Sequence, residues 1–411
     1  MIIFFSGLLF FLLIFPILIT TYLLLLTFAA FFAPAPPRLS NRPTRRFLIL
    51  IPAHNEEKSL PVCLNSLEQI DYPPELFRVH VVADNCLDET AAVAKKFDVV
   101  VHERTNANQL GKGPALQWLM GRLRQSGEPY DALVFVDADT LVSRNFLRVA
   151  DAHLAAGAQA LQAYYAVRDV ERSWAISLRY AALAVLHYLR PQGRMALGGS
   201  AGLKGNGMVF PAKTLRALNW AGSLTEDIQL HMDLLLNGRW VEFMPEASVW
   251  GEMPESLARS QTQHARWEAG RVDLARQYVP RLLRMAYQRF HSGDRRAAFR
   301  FFDAAMEHAI PPLSVLVSAS VALLIASVVL VVFARPAGSV LVTALLALAA
   351  TNLIGQIIYV LVGLRLAGAP RSVYRNLLFA PWLILWKVGQ YLRIFVGERQ
   401  KAWVRTARNE G

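Results

Sequence analysis

The sequence predicts an α/β protein in which an open, largely parallel sheet is tied to transmembrane helices. Three observations carry this. Short apolar runs alternate with helix-period segments between Phe47 and Asp137. Polar residues fall directly after those runs, where an open α/β sheet places its ligand crevice. The chain of 411 residues is 54% hydrophobic, and that fraction concentrates at 2–33, 313–334, 339–364 and 377–396. The first three of these stretches reach the ~20 apolar residues that cross a bilayer core.

Residues 2–33 lack the basic start and small-residue cleavage site of a secretory signal, so 1–33 reads as an uncleaved N-terminal anchor. Arg38, Arg42, Arg45 and Arg46 follow it. The positive-inside tendency then puts the N-terminus outside and the next domain, 34–270, in the cytoplasm. Within that domain Phe47–Ile51 is a wholly apolar strand ending at Pro52, and Leu60, Leu64 and Leu67 mark a helix face over 57–70. Strands at 79–82, 99–101 and 132–136 alternate with helices at 90–96 and 114–123.

Residues 271–312 hold Arg281 to Phe302, which mix arginines with Leu282, Leu283, Phe290 and Phe299. They read as basic amphipathic helices on the membrane surface or as ordinary domain packing. Residues 313–366 form a transmembrane hairpin. In 367–411, the segment 377–396 contains Lys387 and Pro381, so an interfacial or re-entrant stretch followed by a cytoplasmic tail is expected.

Lys and Arg number 43 against 31 Asp and Glu, a formal charge of +12. No helix-turn-helix, finger or aromatic-basic repeat supports a nucleic-acid partner. Anionic lipid explains the excess, because arginines cluster beside the apolar segments. Cys63 and Cys86 are the only cysteines, which excludes a disulfide framework and a Cys-rich metal site and fits a reducing compartment.

Asp137-Ala138-Asp139 follows the strand at 132–136 and can aim two carboxylates at one divalent ion; oxygen ligands suit Mg²⁺ or Mn²⁺. A turn or cap role is the alternative. Asp84 ends a strand where a carboxylate can accept from a base N–H, or it caps the following helix, a task Asp88 could equally serve. Lys112 lies between two glycines. No Gly-x-Gly-x-x-Gly follows the first strand, so a dinucleotide cradle is missing.

Ser223 to Glu226 has capping-box spacing before an apolar helix at 228–236. The cap does not require Asp227, and an acid at a helix start is normally held as the anion, the form a general base needs. Gly198 to Gly207 is too glycine-rich for a regular element and reads as a loop against a ligand or a flexible connection. His54, His187, His231 and His264 make no spaced metal motif. Gln263, Arg266 and Trp267 share one helix face, an amide, a guanidinium and an indole that suit phosphate and a flat, polyhydroxylated partner.

Pro52-Ala-His-Asn-Glu56, Val82-Ala-Asp84-Asn85, Gly111-Lys112-Gly113, Asp137-Ala-Asp139, Thr225-Glu-Asp227 and Gln263-His-Ala-Arg266-Trp267 occur in that order. Over residues 47–270 the chain resembles the membrane-bound family 2 glycosyltransferases of GT-A fold. Cellulose, chitin, hyaluronan and poly-N-acetylglucosamine synthases and ceramide glucosyltransferases belong to that family.

The resemblance implies that Ala53, Asn55, Glu56, Asp84 and Lys112 bind uridine. It implies that Asp137 and Asp139 surround a UDP–metal complex, Asp139 more directly, and that Asp227 is the base. Gln263, Arg266 and Trp267 would bind diphosphate and frame the acceptor. Gly205, Asn206, Gly207 and Glu226 would lie at the acceptor side, although the cap alone also explains Glu226.

The implied reaction is inverting transfer from a UDP-sugar donor to a glycan or lipid acceptor at the inner face of a bacterial-type inner membrane, giving a β-glycoside. Surface or exopolysaccharide synthesis is the expected setting, and glycosylation of a membrane lipid is the alternative. With so few spans a polymer channel would need a second copy of the chain or an export partner. A transporter is least expected, since Asn352 and Gln356 are too few polar residues for a transport path.

Overall fold

The computed structural model describes residues 2–216, 226–253, 261–333 and 339–395, and for 2, 216, 226, 261–269, 339, 387, 388 and 390–395 the backbone alone. The chain divides into two compact units. One comprises Pro34–Val170 and Gly198–Ala305, the other Met1–Ala33, Glu171–Leu197 and Met306–Arg399, with the extreme C-terminus outside the described residues.

The first unit is built on an eight-stranded mixed sheet of order β3-β2-β1-β4-β7-β6-β8-β5. Strands β1 (Phe47–Ala53), β2 (Phe77–Asp84), β3 (Val100–Arg104) and β4 (Ala132–Phe135) are mutually parallel, as the alternation predicts. Helices α2 (Leu60–Glu68), α3 (Thr90–Ala94) and α4 (Lys112–Ser126) cross between them. Nearly all of β1 is buried, which explains why it carries no polar alternation. Ile49 and Ile51 pack on one face with Leu60, Leu64, Val81, Val134 and Val136.

The other half of the sheet reverses direction. Strand β7 (Met208–Pro211) runs antiparallel to β4 and to β6 (Leu161–Val167). Strand β8 (Glu242–Gly251) is parallel to β6 and antiparallel to β5 (Thr140–Val142). A register shift between Ala163 and Tyr164 faces the Pro245 segment of β8, where a proline cannot donate to a ladder. The chain also forms helices α1 (Ile2–Ala29), α5 (Phe146–Ala155), α6 (Trp174–Ala184), α7 (Arg190–Ala196) and α8 (Ala212–Arg216). Helices α9 (Glu226–Leu236), α10 (Gln261–His291) and α11 (Arg295–Ala309) supply a separate core through Met232, Leu235, Leu274, Tyr278, Leu282 and Phe301. The 281–302 segment is thus helical and buries one side against its own unit.

The second unit holds three helices long and apolar enough to cross a membrane: Ile3–Phe32, Leu313–Phe333 and Val340–Leu366. Residues 171–197, which composition places in the water-exposed domain, pack instead with these helices. Close approach is the reason: a Cβ at Gly193 would stand 2.2 Å from the Leu26 carbonyl oxygen. Arg190 donates through Nε to the Tyr359 hydroxyl at 2.8 Å, and its Nη1 and that of Arg194 lie 3.5 and 3.8 Å from Glu307 Oε2. The segment 377–396 forms a 3₁₀ turn and a helix of 16 residues, Ala380–Phe395, shorter than any of the three candidate spans.

Candidate active site

The C-terminal ends of β1, β2 and β4 carry the sequence landmarks, because parallel strands place successive βα loops at one edge of the sheet. After Ala53, Asn55 adopts a left-handed conformation at φ 55°, and its Oδ1 accepts from the Leu87 amide at 2.7 Å. His54 Nδ1 lies 2.7 Å from the Asp84 carbonyl oxygen. The Glu56 amide donates to Thr90 Oγ1 at 2.7 Å, and its carboxylate accepts from the Ser59 hydroxyl. These bonds stitch the loop after β1 to the loop after β2.

Asp88 carries the local capping: its Oδ1 accepts from the Thr90 amide and its Oδ2 from the Glu57 amide. Asp84 is therefore spared that task. It is buried, and its Oδ1 binds the equally buried Arg104 guanidinium. Arg104 also donates to the Gln109 carbonyl at 3.0 Å, anchoring the loop that leads to Lys112. Sequence reasoning missed Arg104, since one arginine ending a strand carries no motif.

At the end of β4, Asp137 and Asp139 are half-buried while Ala138 between them points into the core. Both carboxylates belong to the short turn that links β4 to β5. Lys112, the first residue of α4, ion-pairs with Asp137 and donates to the Gly205 carbonyl. Asp139 Oδ1 accepts from the Thr140 hydroxyl at 3.4 Å. Burial, followed by the Asp139 carboxylate, pushes the Cys63 thiol far up, so Cys63 is an inert core residue.

Gly205, Asn206 and Gly207 form an irregular loop, and Gly205 has φ 79°. A Cβ there would stand 3.3 Å from Asp227 Oδ2, so only glycine lets the backbone pass the carboxylate this closely. Burial pushes the Asp227 carboxyl above its ordinary value, opposed by the Ile228 amide, Lys112 and Lys204. The start of α9 favours the anion, but desolvation outweighs it and makes Asp227 a stronger base once deprotonated.

Among the described residues no group of three His, Cys, Asp or Glu side chains converges as a metal cluster. Two hard oxygen donors on one turn still fit a small divalent cation that takes its other ligands from substrate phosphates. Gln263, Arg266 and Trp267 fall within α10, which preserves their shared spacing; their side chains, the Glu226 side chain and the whole of Ser223 to Thr225 lie outside the described parts.

Residues 43–270, more than half of the chain, match the family described as "Glycosyltransferase like family 2". The chain is a family 2 glycosyltransferase. This glycosyltransferase is 24% identical over 262 residues to a probable glycosyltransferase, YdaM, of Bacillus subtilis, covering 62% of the chain and 60% of YdaM. It is 26% identical over 248 residues to a β-monoglucosyldiacylglycerol synthase of Synechocystis sp., covering 57% and 50%. It thus spans only half to three-fifths of these relatives' length. In fold it resembles a mannosyltransferase, PcManGT, from Pyrobaculum calidifontis, solved with GDP-Man and Mn²⁺, at a TM-score of 0.50 and 19% identity over 88% of this chain and 96% of the other. The sheet unit is accordingly a GT-A-like nucleotide-sugar transferase domain accompanied by candidate transmembrane helices.

Proposed function

We propose that this enzyme transfers a single sugar from a UDP-sugar to a hydroxyl of a membrane lipid, with inversion to a β-glycoside. One observation carries the reading. Asp227 lies beside the Gly205 backbone, where an added Cβ would stand 3.3 Å from its Oδ2, and Lys112 joins that backbone to Asp137. A base and an anion-holding group therefore flank one backbone strip, the arrangement a single in-line displacement needs.

Ala53, Asn55, Glu56 and Asp84 frame the nucleoside, and Lys112 neutralises the diphosphate. Asp139, with Asp137, would hold Mg²⁺ or Mn²⁺, whose charge would stabilise the departing UDP. Asp227 takes the acceptor proton as its oxygen attacks the anomeric carbon, and its raised proton affinity makes that transfer more favourable. Gln263, Arg266 and Trp267 close on diphosphate and acceptor, with Asn206, Gly207 and Glu226 on the acceptor side.

The expectation of surface-polysaccharide synthesis yields here to lipid glycosylation. Relatives named β-monoglucosyldiacylglycerol synthases support a lipid acceptor. So does α10, where Leu283, Tyr287 and Phe290 form an exposed apolar stripe beside Arg284 and Arg289. Apolar residues next to arginines suit an anionic bilayer surface. The arginines after the N-terminal helix support a catalytic domain on the cytoplasmic side of the inner membrane.

The test is incubation of the purified enzyme in lipid with a panel of UDP-sugars and GDP-mannose, followed by sizing of the product. One sugar per lipid is expected. A soluble or lipid-linked polymer would overturn the lipid reading, and exclusive use of GDP-mannose would overturn the donor.

A further inference from the structure

The Gly205–Asn206–Gly207 loop sits between the proposed base and the Asp137–Asp139 turn, yet it has no helix or strand of its own to fix it. What holds it is a buried glutamine on β6 that belongs to none of the expected site residues. Gln162 is fully buried. Its Nε2 donates to the Asn206 carbonyl at 2.7 Å and to the Ala163 carbonyl at 2.9 Å, while its Oε1 accepts from the Lys204 amide at 2.8 Å. The side chain thus acts as a short extra strand and ties both shoulders of Gly205 to the sheet.

The hold is relayed onward. Asn206, also fully buried, accepts from the Asp137 amide at 3.2 Å through Oδ1 and donates to Thr140 Oγ1 at 2.8 Å through Nδ2. The loop then rejoins the sheet through Gly207, whose amide donates to the Phe135 carbonyl and whose carbonyl accepts from the Ala163 amide, both at 2.9 Å. Both amide hydrogens and the carbonyl oxygen of Gln162 are engaged. A polar residue kept there has a geometric task, since a fully satisfied buried network specifies one arrangement.

We propose that Gln162 is a positioning residue for sugar transfer: through Lys204 and Asn206 it sets the separation between the Asp227 carboxylate and the Asp137–Asp139 turn. It touches neither substrate. This deepens the proposed function and rests on Asp227 being the base.

The test compares wild type with Gln162→Leu, which removes both ties, and Gln162→Glu, which keeps the acceptor for Lys204 but sets an oxygen against the Asn206 carbonyl. Three quantities are measured: kcat and donor KM for transfer, the rate of acceptor-free hydrolysis of the same donor, and amide hydrogen exchange at Lys204 and Asn206. Displacing a base by about 1 Å should lower kcat on the order of 100-fold in Gln162→Leu. Donor KM should stay within about twofold, because the nucleoside side is held by other loops. Gln162→Glu should fall between the two.

Hydrolysis should drop in parallel, and exchange at Lys204 should rise while β6 itself stays protected. Unchanged kcat in both variants would overturn the proposal. So would losses in kcat, KM and melting temperature that move together, the mark of a merely structural glutamine. Should wild type hydrolyse donor yet glycosylate no lipid, the lipid reading fails while the hydrolysis rates still decide the role of Gln162.

Discussion

Two buried polar networks, one in the sheet unit and one among the apolar helices, differ in how completely they are hydrogen-bonded. Around Gln162 and Asn206 each amide group of the two side chains has a partner. Among the apolar helices, Asn352 and Gln356 donate to Ser320, and Gln356 also to Thr20. Their carbonyl oxygens Oδ1 and Oε1, though buried, have no hydrogen-bond partner among the described residues. A network that only holds helices side by side tolerates an idle acceptor, because any one interhelical bond pins the pair. One that fixes a reacting distance does not, since each missing bond frees a degree of motion at the site.

The sharpest way to break this contrast is to ask which changes strike activity and which strike stability. Asp227→Asn should lower kcat on the order of 10²–10⁴-fold, with UDP binding and melting temperature retained. Normal turnover would remove Asp227 from the base role. Among the helices, Glu307→Gln removes a buried carboxylate charge that faces Arg190 and Arg194 and should cost about 3–5 kcal/mol, read as a lower melting temperature in detergent. An unaltered melt would show that the pair contributes nothing.

Asp139→Ala should weaken Mn²⁺-dependent UDP binding by more than the roughly 10–100-fold that loss of an outer-shell partner costs a metal site. Equal affinity with and without metal in wild type would end the metal assignment. Asn352→Leu should cost only about 0.6 kcal/mol in detergent unfolding and leave transfer within twofold. A large loss of activity from it would erase the distinction between the networks.

A further effect is one of pH. Burial lowers the His80 imidazole to about 4 against an ordinary 6.5, with His102 and Arg78 adding to the shift and Glu128 opposing it. Between those values the unfolded chain binds the extra proton, so stability is fully present above pH 6.5 and declines as pH falls towards 4. His80→Gln should flatten that slope in thermal melts, and an unchanged slope would place the acid sensitivity elsewhere.

The strand-end edge of the candidate site was legible because its geometry is local. A strand that ends at Ala53 or Phe135 delivers the next few residues to one edge whatever the rest of the chain does. Gln162 was not legible: it sits in an apolar strand 42 residues before Lys204, and only the pairing of β6 with β7 brings the two together. Arg104 was missed for a related reason, its partner Asp84 lying on a neighbouring strand.

By itself the sequence determined the four parallel strands with their crossovers, the three apolar helices and the order of polar landmarks at the strand ends, because periodicity and strand-end position act over a few residues. Tertiary structure alone decided three further things. Residues 171–197 join the apolar helices, Lys112 spans Asp137 and the Gly205 carbonyl, and Asp227 is driven towards its protonated form. Each depends on groups far apart in the chain, and on a desolvation that arises only when the sheet, the glycine loop and the start of α9 close around one carboxylate.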